Sequence, residues 1–441
     1  MRQATYHFPS GFLWGTATAA HQVEGQNTQN NWYQWEQAGH ITGDQRSGLA
    51  ADWWGGRWQE DFDRAAETGQ NAHRLSVEWS RIQPAPDRWD ESALEVYREM
   101  LIGLAARGLT PMVTLHHFTD PLWLTERGGW ESEDAPQLFA RFVQKVVAAL
   151  KEFNSLWVTI NEPNVYTWGG YLGGGFPPGK TDMQSAFNVM RGLLTGHAYA
   201  YKAIHQIQRE ARVGVAHHYR GFWPAKPWFP PDQIAARIFS DNMNAAFPNA
   251  LASGKLSFLF RRAAVPEAVK TQDFFGLNYY TADRIAFVPW RTQDFFTRRS
   301  YPQGAVLSET GYLANLPQGL FAALKWANRY GVPMIITENG VEDSHDEMRP
   351  RYTIEHLYQV WRATNATLPI KGYFHWSLVD NFEWERGWTQ RFGLWGLDTE
   401  TQARIRRRSV DVYADICRRN AIDSQSVQEF APEIFDQLFP I

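Results

Sequence analysis

Short apolar segments that end in polar or aromatic residues recur along the chain, and most are followed by a longer stretch of helical spacing or helix-forming composition. Regular alternation of strand and helix favours a parallel sheet, and closing that sheet into a barrel hides both of its edges. We identify eight such segments: residues 12–19, 71–79, 110–117, 156–163, 212–219, 273–280, 333–340 and 371–380. The pattern predicts an α/β fold, a single (β/α)8 barrel of the TIM type.

The segments between the predicted strands support this interpretation. Residues 91–107 have apolar side chains at helical spacing and are followed by Gly108, which is typical of a helix end. Further helices are expected at residues 135–151, 183–209, 318–329 and 351–367.

Two segments, residues 166–180 and 286–311, are long, irregular and aromatic, so we expect them to form elongated loops over the mouth of the barrel. No linker rich in Pro, Gly or Ser divides the 441 residues. We therefore predict one domain over residues 1–441, with residues 418–441 as a C-terminal extension packed on the barrel.

Charge and cysteine content exclude several classes of partner. The formal net charge is −4, and Lys and Arg are scattered among Asp and Glu, so the chain offers no basic face for nucleic acid or anionic lipid. The only cysteine, Cys417, excludes an internal disulfide, and the N-terminal residues lack the apolar core of a signal peptide. We expect a cytoplasmic protein without membrane or nucleic-acid partners; its oligomeric state stays open.

Two related motifs, TINEP at residues 159–163 and ITENG at residues 336–340, each end a β-branched run with an adjacent Asn and Glu. In a barrel, reactive groups gather at the C-terminal ends of the strands. Two carboxyl groups brought together there are the minimum equipment for hydrolysing a glycosidic bond. A retaining enzyme needs them about 5 Å apart, with one ionised as nucleophile and the other protonated as general acid.

The two glutamates must therefore differ in pKa. Arg74 and Tyr280 are candidates to favour the charged form of one Glu, whose negative charge then raises the pKa of the other. Asn161, beside Glu162, is a candidate donor to the sugar 2-hydroxyl, an interaction that strengthens in the transition state.

These motifs resemble those of the family 1 glycoside hydrolases, which include β-glucosidases, β-galactosidases and 6-phospho-β-glycosidases. The resemblance extends over residues 8–413 and includes FLWGTATAAHQVEG at residues 12–25 and HRLSVEWSRI at residues 73–82. It implies an eightfold barrel, Glu162 as general acid/base and Glu338 as nucleophile. It also implies a small-molecule β-glycoside as substrate, with neither a metal nor an organic cofactor.

The same resemblance assigns the supporting residues. Arg74, Asn278 and Tyr280 would position and charge-stabilise the nucleophile, and Trp376 would stack beneath the sugar ring. Phe392 would line the pocket near the 6-position. The hydroxyl groups of the sugar would be held by Gln22, His117, Asn161, Glu383 and Trp384.

The sequence NFEWERGW at residues 381–388 bears on the subclass. Family members that accept 6-phosphosugars replace the acidic residue there, whereas Glu383 would repel a phosphate dianion. We therefore expect unphosphorylated sugars and, among them, most readily β-glucosides. Phe118 and Asn164 depart from the residues that are frequent in the family at those positions, which leaves the aglycone preference open.

Two other functions are compatible with a barrel of this kind. A barrel that binds sugar without hydrolysing it would normally have lost one carboxylate, and a transglycosylase would keep the same fold and intermediate. The pairs His116-His117 and His217-His218 suggest a metal site, but consecutive strand residues point to opposite faces and cannot easily chelate one ion.

Overall fold

Eight parallel strands form a closed barrel in the computed structural model, which describes residues 4–440. Neighbouring strands pair in chain order, and the eighth pairs with the first in the register Phe374 to Gly15. Barrel strands one to eight are Leu13–Ala17, Ala72–Ser76, Thr110–His116, Leu156–Asn161, Arg212–Pro224, Phe274–Phe287, Met334–Asn339 and Ile370–Trp376. The predicted (β/α)8 barrel is confirmed.

Each barrel strand is followed by a principal helix. These helices are Trp58–Glu67, Glu91–Ala106, Ala135–Leu150, Met183–Ile207, Ala246–Ser253, Pro317–Ala327, Arg349–Asn365 and Arg408–Arg419. The helix predicted at residues 91–107 begins after Asp90, whose carboxylate accepts hydrogen bonds from the backbone N–H groups of Ser92 and Ala93. The other four predicted helices lie within two residues of their expected bounds at each end.

Shorter elements build the loops between these units. The additional α-helices are Ala20–Val23, Asn31–Gln37, Trp79–Ile82, Leu122–Thr125, Pro163–Tyr171, Pro230–Phe239, Ser424–Phe430 and Phe435–Leu438, with a π-helix at Ser240–Ala245. Single 3-10 turns lie at Thr42–Asp44, Gly129–Glu131, Pro266–Ala268, Thr292–Asp294, Asn328–Tyr330, Trp384–Thr389 and Pro432–Ile434. Small antiparallel pairs join Thr5–His7 to Ala421–Asp423, Lys255–Phe258 to Arg261–Ala264, and Trp395–Leu397 to Arg404–Arg406.

The two predicted mouth loops are more ordered than expected. The first half of residues 166–180 belongs to the helix Pro163–Tyr171, which starts on a proline whose fixed φ suits a first helical turn. Residues 286–311 contain the strand Thr297–Ser300, which pairs antiparallel with the extended end of barrel strand six. The expectation of irregular loops was therefore wrong for part of each segment, because local backbone pairing and a helix start organise them.

Tyr6 ties the C-terminal segment to the barrel. Its ring stacks on Trp361 of the seventh principal helix at 4.1 Å and on Phe439 at 4.9 Å. Its hydroxyl donates to the backbone carbonyl of Leu438 at 2.5 Å. The C-terminal segment therefore packs on Thr5–His7, the short strand that precedes barrel strand one. Within residues 4–440, no helix combines the length and hydropathy that crossing a bilayer requires.

A buried carboxylate, Asp61, joins the start and the end of the barrel sequence. It lies on the first principal helix and accepts hydrogen bonds from Trp53 at 2.8 Å, from Arg64 at 2.9 Å and from Arg404 at 2.8 Å. Arg404 belongs to the hairpin that follows barrel strand eight, and its side chain is 0% exposed. The contact therefore fastens the seam at which strand eight meets strand one.

We expect Asp61→Asn to lower the free energy of unfolding by about 3–5 kcal/mol, because it leaves the buried Arg404 guanidinium without its carboxylate. The matched control is Glu60→Gln on the same helix, whose side chain is 50% exposed and lies 3.4 Å from Arg64. The control should change stability by at most about 1 kcal/mol. Denaturant unfolding measures both; equal losses in the two variants would contradict a structural role for Asp61.

Candidate active site

The Asn-Glu pair of the TINEP motif lies where barrel strand four gives way to a helix. The backbone N–H of Glu162 donates to the carbonyl of Ala216 on strand five at 2.7 Å, which continues the sheet by one residue. Glu162 has φ 44°, in the left-handed region, and Pro163 then starts the next helix. Such a conformation costs about 1–3 kcal/mol and persists only where neighbours fix it, which is common at functional sites.

Arg74 connects the two motifs. This arginine of barrel strand two is fully buried and donates through Nη1 to Glu338 Oε1 at 2.6 Å. Its other terminal nitrogen, Nη2, donates to Asn161 Oδ1 at 2.7 Å. The Tyr280 hydroxyl donates to the second oxygen of Glu338, also at 2.6 Å. Arg74 and Tyr280 therefore contact Glu338 as expected from the sequence.

Asn278 lies between the two motifs but contacts the other carboxylate. Its Nδ2 donates to Glu162 Oε1 at 2.9 Å and to Asn161 Oδ1 at 3.1 Å, and its Oδ1 accepts from the Thr337 hydroxyl at 2.6 Å. The resemblance placed Asn278 beside the nucleophile. The structure places its amide against Glu162 rather than Glu338.

His218, at the end of the predicted fifth strand, was missed as a site residue. Its Nδ1 lies 3.0 Å from Glu162 Oε1. The signal was present, because His218 lies near the C-terminal end of its predicted strand, as Asn161 and Glu338 do on theirs. His217 points the opposite way, with Nε2 2.8 Å from the carbonyl of Asn244, so the pair does not chelate an ion. Among the described residues, no cluster of three or more His, Cys, Asp or Glu side chains is arranged to hold a metal.

His117 lies among the aromatic side chains of the site. Its ring is nearly parallel to those of Trp376 and Trp384, at centroid distances of 6.0 and 5.9 Å. Burial, reinforced by the charge of Arg74, holds the pKa of His117 well below its usual range, so the imidazole is neutral. His116 instead turns towards Asp120, at 2.9 Å, on the other side of the strand.

Gln22 and Glu383 meet on the opposite side of the site. The Gln22 amide donates to Glu383 Oε2 at 3.2 Å and to the carbonyl of Phe382 at 2.9 Å. Burial and the neighbouring carboxylates, chiefly Glu385, raise the pKa of Glu383 well above its usual value. The Glu383 carboxyl group therefore holds its proton more strongly than an ordinary glutamate does.

These side chains enclose a cavity of about 210 Å³ at the C-terminal ends of the strands. Nine of the twelve site residues predicted from the sequence line it: His117, Asn161, Glu162, Tyr280, Glu338, Trp376, Glu383, Trp384 and Phe392. The other three, Gln22, Arg74 and Asn278, are fully buried behind its wall and contact residues that line it. The fold therefore brings all twelve together.

The pKa of Glu338 is not lowered overall, although the sequence predicted that Arg74 and Tyr280 favour its charged form. Burial is the largest influence and raises the pKa of Glu338 to about 7, and the nearby Glu162 raises it as well. Arg74 and Tyr280 act in the opposite direction, as expected from the sequence, but they do not outweigh burial. The charge of Glu162 therefore reaches the carboxyl group of Glu338 across the cavity.

Comparison with known proteins agrees with this geometry. The sequence model described as "Glycosyl hydrolase family 1" matches residues 4–422. The chain is 32% identical to β-glucosidase A of Thermotoga maritima, over 94% of this chain and 99% of that one. It is 30% identical to the β-galactosidase of Saccharolobus solfataricus, over 95% and 97%. The solved β-glycosidase of Pyrococcus horikoshii superposes with a TM-score of 0.90 at 37% identity, covering 97% and 98%.

The chain belongs to glycosyl hydrolase family 1. The family, the barrel and the glycoside hydrolase class predicted from the sequence are confirmed. A retaining β-glycosidase is consistent with these relatives, and neither a sugar-binding barrel without hydrolysis nor a transglycosylase is favoured.

We expect Tyr280→Phe to move the acid limb of the kcat/KM profile to higher pH. The hydroxyl lowers the pKa of Glu338 by donating to its charged form, so removing it raises that pKa above about 7. The matched control is Tyr312→Phe, because Tyr312 lines the same cavity but is not among the groups that chiefly set the pKa of Glu338. An acid limb that moves to lower pH in Tyr280→Phe, or equally in both variants, would contradict this account.

Proposed function

We propose that this family member releases terminal, non-reducing β-D-glucosyl residues from small β-glycosides with retention of configuration. Glu338 is the nucleophile and Glu162 the general acid/base. The observation that carries the proposal is the hydrogen-bonded chain from Glu338 through Arg74, Asn161 and Asn278 to Glu162, with both carboxylates lining one cavity.

In the first step, a Glu338 oxygen forms a bond to the anomeric carbon as the bond from that carbon to the leaving oxygen breaks. The proton of Glu162 passes to the leaving oxygen, so the aglycone departs as a neutral alcohol and Glu338 becomes a glycosyl ester. In the second step, Glu162 takes a proton from water, whose oxygen attacks the anomeric carbon and releases Glu338 as a carboxylate. Two inversions give net retention.

Supporting side chains are arranged for these roles. Asn161 Oδ1 accepts from both Arg74 and Asn278, and its Nδ2 lies 3.0 Å from His117 Nε2. The second Nδ2 hydrogen remains for the sugar 2-hydroxyl. Arg74 and Tyr280 hold one oxygen of Glu338 each, which fixes the attacking carboxylate before substrate arrives.

The substrate class follows from the opposite end of the cavity. Gln22, Glu383 and the neutral His117 offer neutral or acceptor groups for sugar hydroxyls, beside the rings of Trp376 and Trp384. Glu383 and Glu385 both line the cavity, so a 6-phosphate would add a dianion to an already crowded set of carboxyl groups. We propose unphosphorylated glucosides, with galactosides and fucosides as further substrates.

Three further properties concern the natural substrate, the location and the domain organisation. We propose cellobiose as a physiological substrate and the cytoplasm as the location, which the single cysteine supports. We also propose that the chain acts as one catalytic domain, supported by the pairing of Thr5–His7 with Ala421–Asp423 near its two ends.

Azide rescue distinguishes the two glutamates. With a dinitrophenyl β-glucoside, Glu338→Gly should lose nearly all turnover, and azide should restore part of it by attacking from the vacated side to give the α-glucosyl azide. Glu162→Gly should give the β-glucosyl azide, because azide then attacks the glycosyl-enzyme. The anomeric configuration of each product is read by NMR.

The control for azide rescue is Glu385→Gly, which removes a carboxylate from the same cavity. It should remain active without azide and give no glucosyl azide. Wild-type turnover in Glu338→Gly, or the same azide anomer from both glutamate variants, would show that the roles are assigned wrongly.

We expect Glu162→Gln to slow the first step for substrates whose leaving group needs a proton, because the amide cannot deliver one. For methyl β-glucoside, kcat/KM should fall by about 10²–10⁴-fold. For the dinitrophenyl glucoside, whose leaving group needs no proton, the first step should change little. An equal fall in kcat/KM on the two substrates would contradict the role of Glu162.

A further inference from the structure

His218 contacts the general acid/base, yet the two catalytic steps proposed above give it no role. Its side chain is 12% exposed, lines the catalytic cavity and brings Nδ1 to 3.0 Å from Glu162 Oε1. Asn278 Nδ2 reaches the same oxygen at 2.9 Å. Within residues 4–440, both of these contacts with the Glu162 carboxyl group therefore end on Oε1, and Oε2 receives neither.

The direction of the Asn278 contact is fixed by Arg74. A guanidinium has no acceptor atom, so the Asn161 atom that lies 2.7 Å from Arg74 Nη2 must be the amide oxygen. This oxygen lies 3.1 Å from the Asn278 amide, which must therefore present its NH₂ group there. One hydrogen of that group goes to Asn161, and the other remains for Glu162 Oε1.

A protonated carboxyl group has two unlike oxygens. The carbonyl oxygen is the better acceptor, and the hydroxyl oxygen carries the proton. Because Asn278 donates to Oε1, this oxygen is the carbonyl oxygen when Glu162 is protonated, and the proton lies on Oε2. Oε1 then has no proton to give, so His218 Nδ1 must be the donor in its contact with Oε1.

The strand that carries His218 is fastened to the segment that carries Glu162. Asn164 Nδ2 donates to the backbone carbonyl of His218 at 2.8 Å, and the Glu162 N–H donates to the carbonyl of Ala216 at 2.7 Å. Asn164 is fully buried, and it is a position at which the chain departs from the residues frequent in the family. This departure therefore has a structural consequence, because it holds the backbone of His218 beside the general acid/base.

The imidazole of His218 also packs on the side chain that holds the nucleophile. Its ring lies 6.0 Å from that of Tyr280, with 19° between the ring planes. The Tyr280 hydroxyl donates to Glu338 Oε2 at 2.6 Å. Each of the two stacked rings therefore contacts one of the two glutamates, and the stacking restricts rotation of the imidazole away from Glu162.

We propose that His218 is a positioning residue for the general acid. Its Nδ1–H, together with the Asn278 amide, holds Oε1 as the carbonyl oxygen and keeps the catalytic proton on Oε2. In the first step Oε2 gives this proton to the leaving oxygen, and in the second step Oε2 takes a proton from water. No proton leaves His218 in either step. The inference rests on the proposed function and adds a residue to it.

The test uses substituted phenyl β-D-glucosides, which are similar in shape but differ in how strongly the leaving oxygen needs a proton. For His218→Leu, which removes the donor, kcat/KM on methylphenyl glucoside should fall about three- to tenfold, the effect of losing one hydrogen bond. On dinitrophenyl glucoside it should change by less than about twofold, because that leaving group departs without a proton. The plot of log kcat/KM against the pKa of the leaving phenol should therefore become steeper.

Two further variants separate the donor from the bulk of the side chain. The amide nitrogen that His218→Asn introduces is separated from Cα by the same number of bonds as Nδ1 of histidine, so this variant should keep the wild-type slope. In His218→Gln the amide nitrogen lies one bond further out, and the slope should be as steep as in His218→Leu. A slope in His218→Asn as steep as in His218→Leu would overturn the proposal.

The double variant His218→Leu, Glu162→Gln provides a second readout. The amide that Glu162→Gln introduces has no acidic proton to position, so the slope should be no steeper than in Glu162→Gln alone. A further steepening in the double variant would overturn the proposal. An equal fall on all the glucosides in His218→Leu would also overturn it, because it would show that His218 only packs against the site.

The outcome is separable from that of the proposed function. If Glu162→Gln lowers kcat/KM equally on the dinitrophenyl and methylphenyl glucosides, the role of Glu162 itself fails. If Glu162→Gln steepens the slope and His218→Leu does not, only the role of His218 fails.

Discussion

The guanidinium of Arg74 is the contact on which the site depends. Removing it from water costs several kcal/mol, which is recovered only if its donors are well satisfied. Nε donates to Thr114, Nη1 to Glu338 and to the Thr337 carbonyl, and Nη2 to Asn161. These partners come from barrel strands three, seven and four. One buried cation therefore fixes the relative positions of both catalytic motifs.

The closed barrel makes this arrangement possible, and it also buries the charged groups of the site. Four barrel strands supply Arg74, Asn161, Asn278 and Glu338, and closure of strand eight on strand one holds these strands in a ring. The same closure buries the carboxylates, which is why burial outweighs Arg74 in setting the pKa of Glu338. The buried charges and the left-handed backbone of Glu162 lower the stability of the fold. In return, they hold two carboxyl groups in the positions that their different roles require.

The polar catalytic cavity and a neighbouring apolar cavity differ in the chemical groups that line them. Carboxyl and amide groups around Glu383 suit a sugar, whereas the rings around Phe239 suit a group with no hydrogen-bonding needs. Arg299 stands at the boundary, with its charge towards the catalytic cavity and its plane against Phe239.

Much of the fold could be predicted from the sequence because the patterns that indicate strands, helices and motifs lie within short stretches of the chain. Apolar periodicity predicted the eight strands and five of the helices, and the Asn-Glu motifs located the two carboxyl groups. The resemblance to family 1 supplied most of the other site residues that the fold gathers around them. Tertiary structure alone decided which partner each side chain takes. Asn278 meets Glu162 and not Glu338, and His218 joins the same carboxylate, because side-chain direction and strand register are set by pairing across the barrel. The apolar cavity was equally invisible, since Trp168, Ile238, Phe260 and Phe296 are far apart in the chain and become one surface only when three loops fold together.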